Sequence, residues 1–230
     1  MTEEQEREIR RQQMASQGRL LADFSHEMRN HLAVIQEANG LLEDLPAMEA
    51  SEGNALSASL KEVTVQVGKR VRASAELCRH LSGMAHRSDT PLSFFHVHDL
   101  LADLITLLAR SARSRQIAVQ FDPGQGIEPV YNEPALLQHV VYQLYAFFSE
   151  QLRSGQTLLI STAQGKEGVE ITFCLDDAPQ PDVSELSETV RAAITSLAAS
   201  LKVLERPGEE PAASAGFRLR LLVPSLSSVG

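Results

Sequence analysis

Tryptophan is absent from the 230-residue sequence, aromatic residues make up 5% of it, and there are two cysteines, Cys78 and Cys174. So few aromatics remove the stacking platforms on which single-stranded nucleic acid is held. Two cysteines this far apart make no disulfide framework and have no zinc-ligand spacing; they read as reduced, buried thiols of a cytosolic protein. An excess of positive charge is also missing. The formal net charge is −9, so neither nucleic acid nor an anionic membrane attracts the chain at long range. No apolar run approaches the ~20 residues that cross a bilayer. The start, M-T-E-E-Q-E-R-E, lacks the basic and apolar regions of a signal peptide. The expectation is a cytoplasmic protein with neither membrane nor nucleic acid as partner.

What is present is 43% hydrophobic residues against 22% charged ones, enough for a sizeable core in one or two domains. From about Thr2 to Leu45, apolar residues recur at Leu21, Phe24, Met28, Ile35, Ala38, Leu42 and Leu45, and His31 fills the missing step. The spacing alternates three and four, a heptad seam on a helix roughly 60 Å long that needs partners. Pro46 is expected to stop it, and Ser51-Glu52-Gly53-Asn54 to turn. A second helix, about Ala55 to Ala85, carries the stripe Leu56, Leu60, Val63, Val67, Val71, Cys78 and Leu81. The pair makes an antiparallel hairpin over residues 1–88. Two helices bury both seams poorly, so the hairpin is expected to dimerise into a four-helix bundle.

Ser88-Asp89-Thr90-Pro91 marks a break, and the pattern then changes. Helices are expected over His98–Arg113, Glu133–Leu152 and Ser184–Val203. Strands are expected at Ile117–Phe121, Val130-Tyr131, Thr157–Thr162, Val169–Leu175 and Phe217–Val223. Residues 206–216, rich in Pro, Gly, Ala and Glu, read as a flexible loop. Residues 92–230 are thus a second, α/β domain, and the fold class is α+β.

Residues 24–32 read F-S-H-E-M-R-N-H-L. With Leu21 and Met28 turned inward, His26 falls on the outside of the bundle. A neutral imidazole held there by a rigid helix is a good phosphoryl acceptor. Glu27 stands beside it, able to orient or deprotonate the ring. Asn30, one turn on, shares its face and can hold a water or a phosphate oxygen. Taken alone, His26 would read as a solvated surface histidine, and Glu27 and Asn30 as ordinary surface polar residues.

The stretch resembles the H-box of the two-component sensor histidine kinases. Phe24, Ser25, His26, Glu27, Met28, Arg29, Asn30 and Leu32 fit that pattern. His31 departs from it, standing where the family has proline and its helix bend. The order of a helical hairpin followed by an α/β ATP-binding domain is similar too. The resemblance implies phosphorylation of His26 at Nε2, and it implies that Glu27 and Asn30 can support dephosphorylation of a receiver aspartate.

The same comparison finds the nucleotide chemistry missing. In the family, asparagines on one helix hold magnesium and glycine-rich loops cradle the phosphates, which need close backbone N–H groups. The helix Glu133–Leu152 is similar in position to the family's N-box, but Gln143 replaces its first Asn and Phe147 stands at the metal-binding Asn. Residues 173–181, F-C-L-D-D-A-P-Q-P, resemble the Asp-x-Gly-x-Gly strand end. There Asp176 matches the adenine-binding Asp, while Ala178 and Gln180 replace both glycines. No glycine lies between Gly168 and Gly208. Asp176 and Asp177 are then turn or capping residues. The expected domain is a degenerate histidine-kinase-type α/β sandwich that binds no nucleotide or metal of its own. The resemblance therefore narrows to dimeric histidine phosphotransferases. It implies that His26 accepts a phosphoryl group from one response-regulator receiver and passes it to another, with receivers docking over Leu21, Ala22 and Arg29 and bringing the magnesium. The alternatives are a divergent kinase that autophosphorylates from ATP, and a non-catalytic regulator that binds receivers.

Other features read more plainly. His96 and His98 are taken as linker histidines and not as a metal site. His80 and His86 suit the negative end of the second helix. Lys69, Arg70, Arg72 and Arg79 form a basic set that could meet an acidic receiver; a solvated face is the preferred reading. Gly124-x-Gly126 is a turn too short for a nucleotide loop.

Overall fold

The computed structural model describes residues 2–48, 53–175, 181–204 and 217–226, and the side chains of these apart from 43–48 and 53–59. Helices α1 (Glu3–Met48) and α2 (Gly53–His86) form the hairpin. Pro46 lies inside the last turn of α1, where it removes one helical hydrogen bond without ending the helix ahead of it. Ser51 and Glu52 of the expected turn, and the side chains of Leu45 and Leu56, lie outside the described residues.

After the hairpin come β1 (Ser93–Phe95), α3 (Val97–Ser114), β2 (Ala118–Asp122), β3 (Val130–Asn132) and α4 (Pro134–Gln151). The chain continues with β4 (Thr157–Gln164), β5 (Gly168–Leu175), a 3-10 turn at Val183–Glu185, α5 (Glu188–Ser196), β6 (Ser200–Val203) and β7 (Phe217–Pro224). The main sheet has the order β2-β4-β5-β7-β6; β2 and β4 run parallel and the other pairs antiparallel. β1 and β3 form a separate antiparallel ribbon. Period-two alternation sends Leu158 and Ile160 of β4 and Leu219, Leu221 and Val223 of β7 into the core. There they meet Leu100, Leu104 and Leu108 of α3 and Leu137, Leu144 and Phe148 of α4. Buried Asn132 ties the layers: its Nδ2 donates to the carbonyls of Leu197 and Pro224, at 3.1 and 2.9 Å.

Three further expectations change. The stretch Ser184–Val203 is not one helix. Ser187 caps α5 by accepting from the Val190 N–H, and the helix ends where Ala198 takes φ 52°. The chain then pairs with β7 as the edge strand β6, so tertiary pairing overrides the local helix preference of this alanine-rich stretch. Cys78 is exposed; Cys174 is buried as expected. The expected stripe of α2 is also not its packed face. Leu60 and Val71 are 38% and 51% exposed, while Leu77, His80 and Met84 are buried. The cause is α3, which packs along the hairpin and covers another side of α2. The short β1, only three residues long, carried no sequence signal.

Candidate functional site

His26 stands exposed on α1. Its Nδ1 accepts a hydrogen bond from the Arg29 guanidinium at 3.3 Å, and Arg29 Nε donates to the Ser25 carbonyl. A guanidinium only donates, so the neutral ring paired this way carries its proton on Nε2. Asn30 and Ala22 are exposed and lie about 40° round the helix from His26. Leu21 is 51% exposed but about 140° away, so it does not share the His26 face.

Glu27 is turned away from the imidazole. Its carboxylate accepts from Arg113 of α3 at 2.8 Å and approaches Nε2 of His31 at 3.7 Å. One turn earlier, Asp23 pairs with Arg110 of α3 at 3.0 Å. His31, which stands where the family has proline, is buried, as its place in the heptad seam implied, and lies 3.0 Å from Ser74 Oγ of α2. The helix runs unbroken through it. The line of α1 that faces the rest of the molecule is therefore Ile9, Ser16, Leu20, His31 and Ala38, with Phe24 and Met28 half-buried. The expected seam put Leu21 where Leu20 is.

A second polar cluster fixes α3 against α2. Asp103 is buried and accepts from His80 Nδ1 at 2.6 Å and from Arg87 at 2.5 Å. Arg79 donates to His80 Nε2 at 3.0 Å, which leaves Nδ1 as the donor to Asp103. His80 is thus a buried hydrogen-bond partner of Asp103 in the α2–α3 junction and does not stand free at the helix end. His86 ends α2 as expected and bonds Asp89 at 2.8 Å. Asp103 carried a signal that was available: it is a charge set within the leucine stripe of α3.

Helix α1 touches the α4 face that aligns with the family's N-box, through Ser16. Ser16 is buried; its hydroxyl donates to the Gln12 carbonyl, so it accepts from His139 Nδ1–H at 3.3 Å and from Gln143 at 3.4 Å. Gln12 reaches Thr189 of α5 at 3.3 Å. Burial lowers the His139 pKa to about 4, and its Nε2 has no hydrogen-bond partner among the described residues. Phe147 stacks edge-on against Phe148. Asp176, Asp177, Ala178 and Gln180 lie outside the described residues. His98 bonds Thr162 at 2.6 Å and His96 precedes α3. Among the described residues no three His, Cys, Asp or Glu side chains cluster as metal ligands, and no helix is long and apolar enough to cross a membrane.

No protein-family model matches the sequence, and no curated protein does. Solved structures do. The chain is similar to the Acinetobacter baumannii histidine kinase AdeS, at 14% identity over 88% of this chain and 98% of that one, with a TM-score of 0.46. It is similar to histidine kinase ThkA, solved in complex with the response regulator protein TrrA, at 14% identity over 98% of this chain and 68% of that one, with a TM-score of 0.49. A structure described as a bacterial phosphotransferase matches at 10% identity over 89% and 95%, with a TM-score of 0.39. Likenesses this distant say nothing about the site, whose reading rests on its residues and their geometry.

Proposed function

We propose that the chain is a histidine phosphotransfer protein of a two-component relay. The observation that carries this is His26: it stands exposed in an H-box-like octet, on a helix whose inner side is locked to α2 by His31–Ser74 and to α3 by Glu27–Arg113. In the transfer, Nε2 attacks the phosphorus of a receiver phosphoaspartate in line. The N–P bond forms, the acyl P–O bond breaks, and the receiver regains its carboxylate. Nε2 must first present its lone pair, so the ring proton moves to Nδ1 as Arg29 swings off that nitrogen; both side chains are exposed and free to do so. Both phosphoryl adducts are high in energy, so the step is close to reversible and positioning dominates its rate. A second receiver then takes the group by the reverse reaction. Magnesium is supplied by the receiver.

The residues of the α4 face support transfer between proteins over autophosphorylation. A kinase needs an open nucleotide site; here Ser16 and Gln12 of α1 lie on α4 and α5, and Gln143 and Phe147 replace the metal-holding amides. Dimerisation belongs to the same proposal. Met14, Leu21 and Ile35 on α1, and Leu60, Val67, Val71 and Cys78 on α2, keep heptad spacing. None of them is buried, and they leave a face for a second copy. The test is to mix the protein with a receiver domain labelled by acetyl phosphate and, separately, with labelled Mg-ATP. Label on the wild type from the receiver only, and none on His26→Gln, is expected. Labelling from ATP alone, or label persisting in the variant, overturns the proposal.

A further inference from the structure

We infer that a depression beside His26, walled by Arg70 of α2 and by Arg110 and Arg113 of α3, reads the acidic rim of the receiver's phosphorylation pocket. The inference rests on the phosphotransfer reading and adds what recognises the partner. Glu27, Asn30, His31, Val34 and Ser114 complete the wall. Asn30 brings its edge to within one helical turn of His26.

Charge is the first argument. The wall's three guanidinium groups stand against two carboxylates, Glu27 and the Asp23 that pairs with Arg110, which leaves a net positive charge in a chain of net charge −9. The local field is therefore opposite in sign to that of the whole molecule. A phosphoaspartate that holds magnesium sits among oxygen ligands, chiefly carboxylates, because magnesium demands them. Such a rim is anionic and matches this wall.

Pre-organisation is the second. Arg110 and Arg113 are held by Asp23 and Glu27 at 3.0 and 2.8 Å, and each keeps further N–H donors for a partner. Arg70 is half-buried and makes no ion pair among the described residues, whereas its neighbours Lys69 and Arg72 are exposed. The basic set of α2 is thus divided: Arg70 turns toward α3, Arg79 bonds His80, and Lys69 and Arg72 face solvent. Guanidinium forks suit carboxylate and phosphate oxygens better than ammonium groups do.

The consequence concerns the second domain. Two of the three arginines come from α3, which the buried Asp103–Arg87–His80 cluster fixes in place. The domain thereby contributes two of the three arginines of a recognition surface without any nucleotide. Charges at such a rim act mainly on the association rate and its salt dependence.

The test compares wild type, Arg70→Glu and Arg72→Glu. Each is given a receiver domain labelled with acetyl phosphate at low and high salt, and separately phosphoramidate, a small donor that reads His26 without a partner. Arg70→Glu should slow transfer from the receiver by about tenfold at low salt and flatten its salt dependence. It should leave phosphoramidate labelling unchanged, and Arg72→Glu should stay within about twofold of wild type on both. Equal slowing by the two variants, no slowing by Arg70→Glu, or loss of phosphoramidate labelling overturns the inference while the phosphotransfer reading stands. Wild-type protein that takes label from phosphoramidate but from no receiver overturns both.

Discussion

Asp103 is the residue on which the junction between α2 and α3 turns. It is buried with His80 and Arg87 as its partners, and it crowds the helix beside it at Gly83. A Cβ on Gly83 would stand within van der Waals overlap of the Asp103 carboxylate. Removing one partner of a buried pair strands the others, so Asp103→Ala should cost about 3–5 kcal/mol in urea unfolding. Gly83→Ala should lower the melting temperature, although alanine is the better helix former by about 1 kcal/mol; a raised melting temperature would contradict the contact. His139 gives a pH dependence with a defined sign. Its folded pKa, about 4, lies below the ordinary 6.5. Between those values the unfolded chain binds the extra proton, so stability falls as pH drops through that window. The fall is up to about 1.4 kcal/mol per pH unit from this ring. His139→Gln should flatten the slope measured from urea midpoints between pH 7 and 5; an unchanged slope would show that the ring is hydrated.

At the scale of elements, α1 faces three ways: against α2, against α3, and over α4 and α5. Leu20 is 2% exposed and Leu21 is 51% exposed. Leu20→Ala should therefore destabilise the fold by about 2–5 kcal/mol, and Leu21→Ala should barely change it apart from any effect on association. The reverse order would restore the seam expected from periodicity. That seam was half legible. Heptad spacing is a local property and revealed the long helices, but a helix with several partners carries apolar residues on more than one side. Periodicity cannot say which stripe meets which neighbour. His26, Arg29 and Asn30 were legible because their relation lies within one or two helical turns. Arg110, Arg113 and Ser16 were not, because their partners are distant in sequence and only the tertiary packing of α3 and α4 on α1 brings them together. The β6 edge strand was missed for the same reason: its pairing with β7 outweighs its own propensity.

At the scale of the whole molecule, the hairpin carries its unburied heptad lines on a face away from His26, while α3 flanks the histidine's helix on another side. Leu21→Glu combined with Val71→Glu should turn a dimer into a monomer in light scattering, with His26 still labelled by phosphoramidate. Wild-type protein that scatters as a monomer would contradict the dimer. Packing of α1 on α4 and α5 also predicts that titration with Mg-ATP releases no heat of binding. The most direct test of the central claim is to map the phosphorylated residue after exposure to a phosphorylated receiver, under alkaline conditions that preserve phosphohistidine. The account predicts the phosphoryl group on His26 and its departure when a second, unphosphorylated receiver is added. Phosphate found on any other residue, or a His26 that stays unmodified while the receiver remains bound, would contradict it.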